Sequence, residues 1–94
     1  MAMAQYYELN AAEGQEQALR AALEGLSAAL AGQPGSLRRD LLVDEADCRC
    51  FVFIEYWETA DAQKAAGAAL GKDLFASIMA TLAGPPVMRR FSAG

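Results

Sequence analysis

The sequence predicts an α+β fold: one antiparallel sheet with its helices gathered on one side. Three observations lead there. Four short stretches carry the aromatic and β-branched content or the two-residue alternation of strands. Three others carry apolar residues at helical spacing, or are rich in alanine. Gly, Pro, Asn and Asp clusters separate them.

Residues 4–9 hold two tyrosines in alternating polarity and read as the first strand. Residues 10–14 form a turn or helix entry. A helix follows over 15–30, with Leu19, Ala22, Leu23, Leu26 and Leu30 on one stripe. Gly32-Gln33-Pro34-Gly35 ends it, since proline cannot continue a helix and glycine suits the cap. Residues 37–43 form the second strand, with Leu37, Leu41 and Val43 on one face. Asp44-Glu45-Ala46-Asp47 is a polar connection into the strongest strand, residues 48–57, and the two strands make a hairpin.

Thr59 or Asp61 can cap the next helix, over 60–70. Gly71-Lys72 breaks it. Asp73 can cap a further helix, whose stripe is Leu74, Ile78 and Leu82. Gly84-Pro85-Pro86 stops that helix, and residues 87–91 form the last strand. Residues 92–94 are expected to be a loose tail on a single domain spanning 1–94. The resulting order, β-α-β-β-α-α-β, is the split β-α-β, ferredoxin-like pattern.

Composition narrows the chemistry. The chain has 94 residues, 12 acidic, 8 basic and no histidine. No Ser–His or Cys–His pair can form within it. A zinc site would rest on two cysteines and carboxylates, and a haem could take no proximal histidine from this chain. No metal or cofactor is therefore expected. The net charge of −4 with scattered basic residues argues against a nucleic-acid partner. Neither a signal peptide nor a membrane span is expected, which points to a soluble, cytoplasmic protein. Cys48 and Cys50 read as free thiols on one strand face, more in keeping with small buried hydrophobes than with a reactive pair.

Alanine accounts for 21 of the 94 residues, so a monomer would have a thin core. The central strand is apolar on both faces. One carries Cys48, Cys50, Val52, Ile54 and Tyr56; the other carries Arg49, Phe51, Phe53, Glu55 and Trp57, so both are apolar in the middle. Helices can cover only one face. The expectation is that Phe51, Phe53 and Trp57 are left open, and that a second copy packs sheet to sheet against them; the plainer alternative is a monomer with a locally well-filled two-layer core.

Several segments then stand out together: Glu13-Gly14; Pro34-Gly35-Ser36-Leu37-Arg38; Phe51-Val52-Phe53-Ile54-Glu55-Tyr56-Trp57-Glu58-Thr59; and Leu82-Ala83-Gly84-Pro85-Pro86. In this order and spacing the set resembles the antibiotic biosynthesis monooxygenase family across nearly the whole chain. The resemblance implies a homodimer whose two sheets form a dimeric α+β barrel. It implies that Trp57 helps line a cavity. Some members of that family oxidise phenols or quinols without metal or flavin, others degrade haem, and many have no established activity. The family often places histidines where this chain has Ala66 and Gly71. Their absence argues against haem degradation and removes one candidate base.

The candidate site residues each have a plainer alternative. Trp57 can stack on an aromatic substrate or anchor the core or a dimer. Phe51 and Phe53 share its face and line a pocket or simply pack. Glu55, set between Phe53 and Trp57, is a candidate general base if burial raises its pKa, or a salt-bridge partner of Arg38, Arg89 or Arg90. Arg38 can stabilise a phenolate or sit solvated at the surface. Tyr6 and Tyr7 point to opposite faces, so at most one enters a given cavity; either can bond a substrate oxygen or pack in the core with a wet hydroxyl. Asn10 binds substrate or oxygen, or shapes a turn.

The sequence thus suggests a cofactor-independent monooxygenase acting on a small phenolic or quinol-type aromatic. The rival reading is a non-catalytic dimeric ligand-binding or stress-response barrel.

Overall fold

The computed structural model describes residues 2–93. Seven elements follow one another: β1 (Ala2–Asn10), α1 (Glu16–Ala31), β2 (Ser36–Val43), β3 (Cys50–Trp57), α2 (Ala60–Leu70), α3 (Lys72–Met79) and β4 (Val87–Ala93). The strands form one antiparallel sheet in the order β2-β3-β1-β4. This is the ferredoxin-like α+β arrangement that the element order predicts.

Local chemistry explains the helix limits. Gly14 takes φ +79°, turning the chain from β1 into α1, and Glu16 sits favourably in the first turn. Leu19, Leu23, Leu26 and Leu30 form the buried stripe of α1, with Ala22 partly buried beside them. Gly32 caps its C-terminus. At α2 the choice between two caps is resolved: the Ala62 N–H donates to Thr59 Oγ1 at 3.1 Å. α3 starts one residue before Asp73, directly after Gly71 at φ +79°, so Asp73 lies in its first turn and does not cap it. Leu82 lies beyond α3, in a bridge with Ala11.

Several boundaries differ from the sequence reading. The loop between β2 and β3 spans 44–49, because Asp44 and Asp47 accept bonds from the Ala46 and Arg49 N–H groups and the Cys50 N–H donates to the Asp47 carbonyl. Cys48 therefore lies in the loop and is exposed, rather than being a small buried hydrophobe on the strand; Cys50 is half-buried. A register shift between Ser36 and Arg38 turns Leu37 outward, away from the face of Leu41 and Val43. β4 runs past residue 91, with Ser92 and Ala93 paired to Met3 and Ala2, where a loose tail was expected; Gly94 lies outside the described residues.

The largest correction concerns the two sheet faces. Phe51, Phe53 and Trp57 are not left open: each is at most 1% exposed, under the chain's own helices. The alanine-rich helices supply few large side chains, so bulky residues of β3 fill the core from below. The uncovered face carries Val52, Ile54 and Tyr56, each half-buried, flanked by exposed Leu42 and Phe91.

Gly35 fixes the approach of β2 to α2. It holds φ +82°, and a Cβ there would lie 2.6 Å from the Ala62 Cβ. Its carbonyl accepts the Glu58 N–H at 2.9 Å. Gly35→Ala is expected to cost about 1–3 kcal/mol from the backbone alone, with the clash added. A urea titration measures it, and an unchanged midpoint would show that the turn relaxes freely.

Candidate functional site

The inner face of the sheet is where chemistry-bearing side chains meet the core. On β3 the alternation sends Phe51, Phe53, Glu55 and Trp57 inward together. β1 pairs beside it so that Tyr7 is opposite Phe53 and Gln5 opposite Glu55. The Tyr7 and Phe53 rings lie 6.4 Å apart and are tilted to one another. On the other side, Arg39 of β2 is opposite Glu55.

Glu55 is 3% exposed, and its carboxylate takes a hydrogen bond from Trp57 Nε1 at 3.0 Å. It forms no salt bridge with Arg38, Arg89 or Arg90: the ion pair among the described residues is Arg38–Asp40. Burial pushes the Glu55 pKa up, and the indole bond only partly opposes this. Tyr7 is pushed further above its ordinary value, by burial first and then by the negative charge of Glu55, with Arg90 acting the other way. Arg39 gives Nη1 to Ser36 Oγ at 3.2 Å, while its buried Nε has no partner.

A cavity of about 220 Å³ opens between this face and helices α1 and α3. Tyr7 and Phe53 form its floor, Leu23, Leu26 and Ile78 its helical wall, and Met88 part of its rim. Bonds from Ala12 N–H to the Thr81 carbonyl and from Ala83 N–H to the Asn10 carbonyl, both 2.8 Å, tie the end of β1 to the segment leading into β4. They bring Pro86 and Met88 to the rim.

Of the candidate residues, Tyr7 and Phe53 line this cavity. Glu55 and Trp57 follow Phe53 along the same face but are not in the lining. Phe51 is packed in the core, with the exposed Arg20 over its ring at 5.8 Å. Asn10 is exposed at the end of β1, where its carbonyl serves the tie to β4. Tyr6 and Arg38 are on the opposite face: Tyr6 meets Phe91 edge-on, and Arg38 lies over Tyr56 while bonding Asp40 at 3.0 Å. The structure therefore does not bring Arg38 together with Glu55. The cationic residues on the inner face are Arg39 and Arg90. Strand parity carries the signal for them, since Arg39 shares the phase of Leu41 and Val43. Phe75, Met79, Pro86 and Met88 also belong to the cavity, and no local pattern marks them as lining residues.

Ala66 is buried in α2, and Gly71 is exposed at the α2–α3 junction. No group of three or more Cys, Asp or Glu residues among the described ones is placed to hold a metal ion. Cys50 donates weakly to Glu8 at 3.9 Å, and burial with Glu8, Asp44 and Asp47 raises its thiol pKa, which disfavours the reactive thiolate.

Residues 3–69 match the family model for antibiotic biosynthesis monooxygenases. The chain belongs to this family. Its fold is shared with SnoaB of Streptomyces nogalater, a cofactor-independent oxygenase, at TM-score 0.84 and 20% identity over 99% of this chain and 93% of that one. A structure from Nitrosomonas europaea, named for the same family, superposes at TM-score 0.87 with 16% identity, covering 98% of this chain and 89% of that one. Another so named, from Caulobacter crescentus, gives 0.84 at 23% identity over 99% and 90%. At these identities the likeness establishes the fold. No curated protein matches the chain. No helix among the described residues is long and apolar enough to cross a membrane.

The Glu55 shift has a defined sign in stability. A carboxyl whose folded pKa lies above its ordinary 4.5 binds more protons folded than unfolded as pH rises past that value. Its contribution is full below pH 4.5 and is lost as pH climbs through the folded pKa. Glu55→Gln should remove that loss. In denaturant titrations across pH 4–8, wild type should lose stability relative to the variant as pH rises; parallel curves would show that Glu55 titrates normally.

Proposed function

We propose that this chain is a cofactor-independent monooxygenase that oxidises a small phenolic or quinol-type aromatic in the cavity above β1 and β3. The observation that carries the reading is an apolar cavity whose one hydroxyl-bearing wall, Tyr7, is backed by the buried carboxylate of Glu55. Family membership and the shared fold with SnoaB support it.

The chemistry needs a desolvated, oriented phenol and a base. The ring rests on Phe53. Glu55, with its raised proton affinity, takes up the phenolic proton, and Tyr7 lies on the way from the cavity to it. Trp57 holds the carboxylate in place. The phenolate gives one electron to dioxygen, and the aryloxyl radical and superoxide combine at a ring carbon. The peroxide anion takes that proton back from Glu55, and the resulting hydroperoxide, on a ring carbon that bears hydrogen, loses water to leave a carbonyl, so one oxygen atom enters the product, the other leaves as water, and the substrate supplies the electrons. Oxygen uptake with a panel of quinols and phenols, with no cofactor added, tests this. Uptake is expected, falling about 10²-fold or more in kcat for Glu55→Gln. Absence of uptake with every substrate overturns the reading.

A second reading has its own support. The sequence has no histidine, Ala66 and Gly71 stand at the family's histidine positions, and the cavity is almost wholly apolar. Ligand binding without oxygen uptake would favour a non-catalytic binding or stress-response role. Two unpaired cysteines suit a reducing compartment such as the cytoplasm.

The partner we propose is a second copy, seated on the face of Val52, Ile54 and Tyr56 and not on the aromatic face. Arg38 and Asp40 lie on this face together with Leu42, giving it paired charges around apolar side chains. Light scattering should give twice the 10.0 kDa chain mass. Ile54→Arg should yield folded monomer; a wild-type monomer sinks the dimer.

A further inference from the structure

The cavity divides unevenly between what the family prescribes and what is particular to this chain. Half of its lining, namely Phe75, Ile78, Met79, Pro86 and Met88, lies outside the 3–69 stretch that matches the family model. Its selectivity must therefore be read from this chain's own residues.

Two physical limits follow. The first is size: a dry apolar cavity of about 150 Å³ holds benzene, so about 220 Å³ accommodates one further fused ring. The second is polarity. Tyr7 is the one lining residue with a polar side-chain group; the rest are Leu, Phe, Ile, Met and Pro. A charged substituent would lose its hydration with nothing to replace it. The charge of Glu55 acts on Tyr7 more strongly than the opposing charge of Arg90, so an anionic ligand would also meet net repulsion.

We infer that Tyr7 determines specificity here, admitting uncharged one- or two-ring aromatics with a single oxygen placed against its hydroxyl and refusing three-ring or anionic ones. The inference rests on the cavity proposed above as the substrate site, but not on turnover there. Tyr7 is the group that touches the ligand; Glu55 acts on it by its charge. Burial and Glu55 both keep Tyr7 a neutral phenol, so it remains a hydrogen-bond donor across the working pH range. Met79 and Met88, 51% and 62% exposed, line the cavity at its rim, and their flexible side chains can part to admit a flat ring.

Calorimetric titration of the full chain with 1-naphthol, naphthalene, 1-naphthoate and anthrone tests this. Wild type should bind 1-naphthol roughly three- to tenfold more tightly than naphthalene, the range for one hydrogen bond. The naphthoate and the three-ring ligand should bind at least tenfold more weakly than 1-naphthol. Tyr7→Phe should bind naphthalene unchanged and lose the preference for 1-naphthol. Retained naphthalene binding shows that the variant is folded and its cavity intact. Met88→Trp, which fills the rim, should weaken both two-ring ligands together.

Equal binding of naphthol and naphthalene, a preference that survives in Tyr7→Phe, or tight binding of anthrone or the naphthoate would each overturn the inference. So would failure of all four ligands to bind. Binding as described but without oxygen uptake would overturn the oxygenase reading and leave this one standing.

Discussion

Glu55 is buried on the helix-covered face of the sheet, and its one hydrogen-bond donor is the indole of Trp57. Burying a carboxyl group costs free energy unless it is paired or protonated. No arginine meets it, so the cost appears as a raised proton affinity. Much of the inner face follows from this. Trp57 must hold its ring where Nε1 reaches Oε1. Tyr7, next to a group of potential negative charge, holds its own proton more firmly. The bond from Trp57 to Glu55, and the raised proton affinity of Tyr7, are thus set by one uncompensated group in an apolar layer.

The same layer explains how small helices cover a broad sheet. α2 contributes Ala62 and Ala66 to the core, and α1 contributes Ala22 beside its leucines. Such side chains fill little volume. Phe51, Phe53 and Trp57 fill it from the sheet, and where they and the leucines stop short the cavity remains. Small helical residues and large strand residues together decide where that space lies.

The order of elements was legible in the sequence because the turn signals and periodicities are strong. The leucine stripe of α1 and the opposite facing of Tyr6 and Tyr7 came with it. The assignment of the faces did not. Val52, Ile54 and Tyr56 look as apolar in a string of letters as Phe51, Phe53 and Trp57, and only packing decides which set the helices take. Arg38 and Arg39 posed the same problem one residue apart, and the register shift at the start of β2 sorts them. The cavity was less legible still. Phe75, Ile78 and Met79 come from the short α3, and Pro86 and Met88 from the segment that follows. Their meeting depends on the ties between the end of β1 and the approach to β4. Gly35 is a middle case. Its place in a Pro-Gly turn is visible in sequence, but its contact with Ala62 is not.

That register shift bears on how molecules of this chain can meet. β2 is an edge strand, with backbone groups facing outward that could template another strand. The irregularity between Ser36 and Arg38 bends this edge at its start, and Arg38 and Asp40 set charges along it. Both features disfavour the flat, continuous edge that strand-by-strand growth requires. Lateral extension into fibres is discouraged along this edge.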